Sequence, residues 1–97
     1  MFTSKQRATL RSIAQTMEPI TQVGKQGLNE SLIDSLDKAI EKRELIKVTI
    51  LENSGLIPKE AGIELALNLN AELVCVTGRK VVIYRRSLSD KCRHIEF

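Results

Sequence analysis

Residues 45–51, Leu45-Ile46-Lys47-Val48-Thr49-Ile50-Leu51, decide the fold of this chain. The run is dense in β-branched residues, which pack well on a pleated surface and lose rotamer freedom in a helix, so it reads as a strand with at least one well-buried face. Helical runs flank it on both sides. Upstream, Leu32, Ile33, Leu36, Ala39 and Ile40 recur at helical spacing and form the buried stripe of a helix that runs to Arg43. The acidic Glu30, Asp34, Asp37 and Glu41 lie largely off that stripe. Downstream, Glu52 to Gly55 supplies a turn, and Pro58, suited to a first helical position, opens a helix through Ala61, Leu65, Ala66 and Leu69 to Asn70.

Nearer the start, Thr3 with Gln6 is a capping-box pattern, and Leu10, Ile13, Ala14 and Met17 then mark the apolar face of a first helix. Ser4, Arg7, Arg11 and Gln15 share its other side, which turns both arginines the same way. Pro19 stops this helix, and Ile20 to Val23 reads as a short strand leading into Gly24-Lys25-Gln26-Gly27. Asn29 is then a good N-cap, with Leu28 placed to staple onto Ile33. At the other end Ala71 to Thr77 and Lys80 to Arg85 are strands, joined by Gly78-Arg79 as a type II′ hairpin turn. The order α-β-α-β-α-β-β predicts a two-layer α/β sandwich with a four-stranded mixed sheet. Strands one to three are expected to be parallel where they are neighbours, and the last hairpin antiparallel; the strand order is open.

A chain of 97 residues makes one domain, here 1–97 with a core of about 3–86 and a polar, loosely held tail over 87–97. Aromatic residues supply only 3% of it, so the core is built of Leu, Ile and Val. The net charge of +3 is unevenly spread: residues 1–27 carry +3, residues 28–77 carry −4 and residues 78–97 carry +4. Ends that meet in space would give one cationic and one acidic face, which suits a polyanion binder; the plainer alternative is a solvated surface of uneven charge. Cys75 and Cys92 form no CxxC pair and His94 is the single histidine, so neither a tetrahedral metal site nor a nucleophile–base pair is expected. No apolar run approaches the roughly 18 residues of a membrane span and nothing resembles a signal peptide, so a cytoplasmic, reduced location is expected, with no membrane partner.

The four residues Gly24, Lys25, Gln26 and Gly27 are the candidate site. Glycines let the backbone turn tightly and lie flat at the point where the next helix presents free N–H groups and its positive dipole end. Lys25 adds charge, and a nucleic-acid phosphate is the simplest anion to suit such a loop. Turn geometry alone is the competing reading.

These motifs, with Ser4-Lys5-Gln6 at the first helix, Glu44-Leu45-Ile46-Lys47-Val48 after the second, and Gly78-Arg79-Lys80 with Ile83-Tyr84-Arg85 in the last hairpin, resemble in order and spacing the CRM domain in its small, single-domain bacterial form of the YhbY type. The resemblance covers about 85 residues. It implies an RNA-binding domain on a fold similar to the C-terminal domain of the third bacterial translation initiation factor, and a GxxG loop similar to that of KH domains. It also implies association with large-subunit ribosomal RNA or a pre-ribosomal particle, hence a part in ribosome biogenesis. KH loops join two helices, whereas this one joins a strand to a helix, so the comparison supports phosphate contact and not KH-style base reading. On this reading the RNA-binding residues are the GKQG loop with Arg7, Arg11, Arg79, Lys80 and Arg85, no cofactor is needed, and the protein acts as a monomer. Tyr84, beside Val82 and Ile83, reads first as packed, with stacking on a base as the alternative.

Two other functions compete. Helix three followed by a basic-tipped hairpin imitates the recognition helix and wing of a winged-helix DNA binder, but the strand at 45–51 stands where that fold needs a tight helix–turn–helix. A protein-interaction module using the acidic side of helix two is the other. An enzyme is not expected, since the complete GxxxxGK[ST] phosphate loop is also missing.

Overall fold

The computed structural model describes residues 3–86. The elements run α1 (Ser4–Gln15), β1 (Thr21–Val23), α2 (Glu30–Arg43), β2 (Leu45–Ile50), a short 3₁₀ turn (Glu52–Ser54), α3 (Pro58–Asn68), β3 (Glu72–Thr77) and β4 (Lys80–Tyr84). Local chemistry fixes most ends. The Thr3 hydroxyl accepts from the Gln6 N–H at 3.1 Å and the Gln6 carboxamide accepts from the Thr3 N–H at 3.0 Å, the reciprocal box expected. Asn29 Oδ1 caps α2 by accepting the Leu32 N–H at 2.8 Å. At the end of α3, Asn70 takes a left-handed φ of 55°, and Ala71 N–H reaches back to the Ala66 carbonyl at 2.8 Å, closing a Schellman-type stop.

The four strands form one sheet in the order β1-β2-β4-β3, with β1 and β2 parallel and both pairs involving β4 antiparallel. β4 therefore lies between β2 and β3, and the parallel pairing expected among the first three strands is realised only at β1–β2. Gly78, at φ 60°, turns the β3–β4 hairpin while Arg79 keeps a negative φ, as the type II′ assignment requires. A register shift between Leu73 and Cys75 bulges the edge strand β3.

Residues 45–51 explain the layering. Ile46, Val48 and Ile50 face a cluster containing Leu36 and Ile40 of α2 and Ala61, Leu65 and Ala66 of α3. Leu45 faces the opposite way, into a second cluster with Leu10 and Ala14 of α1 and with Val74, Val82 and Tyr84. The predicted sandwich is formed by the sheet with α2 and α3, and α1 covers part of the other face. α1 buries a narrower stripe than its spacing suggests: Leu10 and Ala14 are buried but Ile13 is 36% exposed. α2 and α3 are separated by a six-residue strand, so they make no helix–turn–helix. The expected tail over 87–97, with Cys92 and His94, lies outside the described residues.

Candidate nucleic-acid interface

The glycine loop is a β-turn. Gly27 N–H donates to the Gly24 carbonyl at 2.9 Å, which puts Lys25 and Gln26 at the two central positions, both exposed. Gly27 takes φ 64°, a left-handed conformation that disfavours any side chain, whereas Gly24 has none of that strain. The loop leaves β1 where Val23 pairs with Ile50, at the same end of the sheet as the hairpin, because Thr49 and Thr77 both pair with Lys80.

The helix behind the loop offers less to an anion than expected. Leu32 N–H is taken by the Asn29 cap, which leaves the N–H groups of the first turn. Glu30, exposed in that same turn, sets a carboxylate beside them. Positive charge within the loop itself therefore comes from Lys25.

The arginines divide sharply. Arg11 is exposed, and neither its side chain nor those of Lys25 and Lys80, which are exposed as well, have a hydrogen-bonding or ion-pair partner among the described residues. Arg7 is half-buried, and its guanidinium donates to the carbonyls of Leu73 and Val74 at 2.8 and 2.6 Å, gripping the bulge of edge strand β3. The two arginines of α1 thus do different work. Arg79 folds back from the hairpin tip and donates to the carbonyls of Ile50, Leu51 and Leu56 at 2.6, 3.0 and 3.3 Å. Arg85 lies on the acidic side: it pairs with Asp37 at 2.7 Å and Glu41 at 3.1 Å and donates to the Leu69 carbonyl at 2.7 Å. Of the residues expected to contact RNA, Arg7, Arg79 and Arg85 thus have guanidinium groups engaged by backbone carbonyls that the fold brings near, whereas the side chains of Arg11, Lys25 and Lys80 are not so engaged. Tyr84 is 6% exposed in the cluster beneath α1, so its ring is packed and not offered for stacking.

Lys47, an unremarked member of the deciding strand, faces α1 and donates to the carbonyls of Ala14 and Met17 at 3.0 and 3.3 Å, where a cation favours a helix C-terminus. Its alternation with Ile46 and Val48 was the available signal. Glu44 entered only as the first residue of the Glu44-Leu45-Ile46-Lys47-Val48 motif, with no sign of its burial: it is fully buried, ends α2 at φ 64°, and is not among any buried side chains lacking a partner in the described residues.

A sequence model of the CRS1/YhbY (CRM) domain matches residues 2–85. The chain belongs to this family. It is 38% identical over 91 residues to the probable RNA-binding protein YqeI of Bacillus subtilis, covering 94% of this chain and 95% of that one. It is 34% identical to the probable RNA-binding protein MJ0652 of Methanocaldococcus jannaschii, covering 87% of this chain and 63% of the relative. The CRM fold is also that of the hypothetical protein SAV1595 of Staphylococcus aureus, whose solution structure superposes with a TM-score of 0.74 at 41% identity, covering 94% of this chain and 95% of that chain. The two-sided helix cover and the β1-β2-β4-β3 sheet described above are thus the setting of this CRM domain's loop. No helix among its described residues is long and apolar enough to cross a membrane.

Proposed function

We propose that this CRM protein binds structured RNA without catalysing a reaction, and that its target is ribosomal RNA of large-subunit precursors, held as a monomer in the cytoplasm during assembly. The observation that carries the reading is the placement of Lys25, on the exposed tip of the glycine turn, at the same end of the sheet as exposed Lys80, with exposed Arg11 on the neighbouring helix α1. Three elements thereby offer side-chain cations with no partner among the described residues, while the α2 carboxylates of Asp37 and Glu41 are held by Arg85. The names of the relatives support RNA as the ligand; the family resemblance supports the ribosomal target.

Phosphate contacts supply affinity and register, and the shape of the folded RNA supplies selectivity. The test is a salt-matched titration of large-subunit ribosomal RNA fragments against duplex DNA of equal length, followed by crosslinking in cells to map the bound nucleotides. Preferred binding of RNA, with crosslinks in large-subunit precursors, is the expected result. Equal affinity for duplex DNA would sink the RNA reading, and crosslinks confined to other RNAs would sink the ribosomal one.

A further inference from the structure

Between α1 and the sheet lies a groove of about 270 Å³ that the glycine-loop reading does not use. Its floor is apolar, made by Ala14 and Val82, both buried, and half-buried Cys75. Arg11 and Lys80, both exposed, line it from the helix and the sheet respectively, and Gln15 and Thr77 add hydrogen-bonding groups. Lys47 also lines it, with its ammonium held on the carbonyls at the end of α1. Among the described residues no carboxylate lines this groove. The groove between α2 and α3, by contrast, is lined by Glu30 and Asp34, and that beside Pro19 by Glu18.

Size and chemistry together select the occupant. The volume is just under the roughly 300 Å³ at which small-molecule pockets begin, enough for one planar base and too small for a paired helix. An apolar floor, a planar guanidinium able to stack and a separate ammonium for a phosphate are the groups by which proteins hold bases that have left the helical stack. We infer that the α1–sheet groove takes a single unpaired RNA nucleotide, its base against Ala14 and Val82 beside Arg11 and its phosphate towards Lys80. The inference rests on the RNA-binding function proposed above and adds what Lys25 cannot supply, a preference for RNA with a bulged or looped-out residue.

The test compares two stems with the same base pairs, one fully paired and one carrying a single-nucleotide bulge and so one phosphate more, against the wild type, Lys25→Ala, and the groove-filling Thr77→Phe. Thr77 is exposed on an edge strand, where an aromatic residue is well tolerated, and circular dichroism with a melting curve verifies each fold. The wild type is expected to bind the bulged stem about ten-fold tighter, the scale of one stacked base. Thr77→Phe should abolish that preference while leaving affinity for the paired stem unchanged, and Lys25→Ala should weaken both stems equally. Cys75→Leu, which fills the groove from its floor, should repeat the Thr77→Phe result if that variant proves unfolded. Equal binding of both stems by the wild type, with the Lys25 dependence intact, overturns the groove and leaves the RNA-binding function standing. A preference that survives both fillers does the same. Binding of neither stem overturns both.

Discussion

Arg79 Nε donates to the carbonyl of Ile50 at 2.6 Å, across 29 positions of sequence, and the same guanidinium reaches Leu51 and Leu56. The return contact is a backbone one: Ile50 N–H donates to the Arg79 carbonyl at 2.7 Å. The hairpin tip thus clamps the connection between β2 and α3. Gly24 rests on that connection, since a Cβ added there would lie 3.7 Å from Asn53 Oδ1 and 3.9 Å from Leu51 Cδ1. Leu51 N–H also donates to the Val23 carbonyl at 2.9 Å, so the strand feeding the glycine loop is tied to the same segment. Arg79 therefore serves the candidate site from behind, as a support of its platform.

Replacing Arg79 by alanine is expected to cost about 1–3 kcal/mol of stability, because part-buried carbonyls lose a charged donor. A melting curve reads it as a fall in Tm. Lys80→Ala, on the neighbouring exposed position, should change stability by less than about 0.5 kcal/mol yet weaken RNA binding. Equal Tm for the two variants would show that the Arg79 contacts contribute nothing.

Arg85→Ala should destabilise the protein on the same scale, about 1–3 kcal/mol, since it frees Asp37 and Glu41 together and leaves the Leu69 carbonyl without its charged donor. Both carboxylates are partly solvated, so the ion pairs themselves account for the smaller share. RNA affinity per folded molecule should be unchanged. A lowered salt dependence in this variant would put Arg85 back among the RNA contacts.

The two glycines of the loop are expected to respond differently to alanine. Gly27→Ala forces a Cβ into φ 64° and should cost about 1–2 kcal/mol by thermal or denaturant unfolding. Gly24→Ala meets only ordinary van der Waals contacts and should be close to neutral. Equal losses would mean that Gly24 is held by crowding not evident in its contacts.

What the sequence made legible was whatever neighbours within a few residues decide. Thr3 and Gln6, Asn29 and Leu32, and Gly78 before Arg79 carry their geometry in their spacing, and the alternation of Ile46, Lys47 and Val48 carries the two faces of the sheet. The insertion of β4 between β2 and β3 was not legible, because the pattern that makes both faces of β2 buried does not say which strand lies beside it. Nor was the fate of the arginines. Arg7 is 66 positions from the Leu73 carbonyl it binds, and Arg85 is 48 from Asp37, so only the folded chain shows that these cations are engaged. Charge counting grouped Arg7, Arg11, Arg79, Lys80 and Arg85 as equals. Burial and carbonyl proximity separate them. Glu44 escaped for a related reason: a glutamate closing a helix in a left-handed conformation obeys no local preference, and its burial follows from where α2 meets the sheet.

The remaining prediction concerns the turn itself. Lys25→Ala should lower the log–log salt slope by about one unit and weaken different RNAs about equally, because a phosphate contact carries no base information. If four to six phosphates are neutralised in all, the wild-type slope should be roughly −3 to −4, taking about −0.7 per phosphate as for single strands. The stronger variant is Lys25→Asp with Gln26→Asp. Both positions are exposed centres of the turn, and neither glycine is touched, so the backbone conformation set by Gly27 is retained. Stability should move by less than about 0.5 kcal/mol, since carboxylates near the start of α2 interact favourably with its dipole. Binding should nevertheless collapse, because two added carboxylates join that of Glu30 where phosphate is expected to approach. Affinity and Tm measured on the same samples decide the matter: lost binding with an intact fold makes the turn the centre of the interface, and full affinity in the double variant would move the RNA away from it.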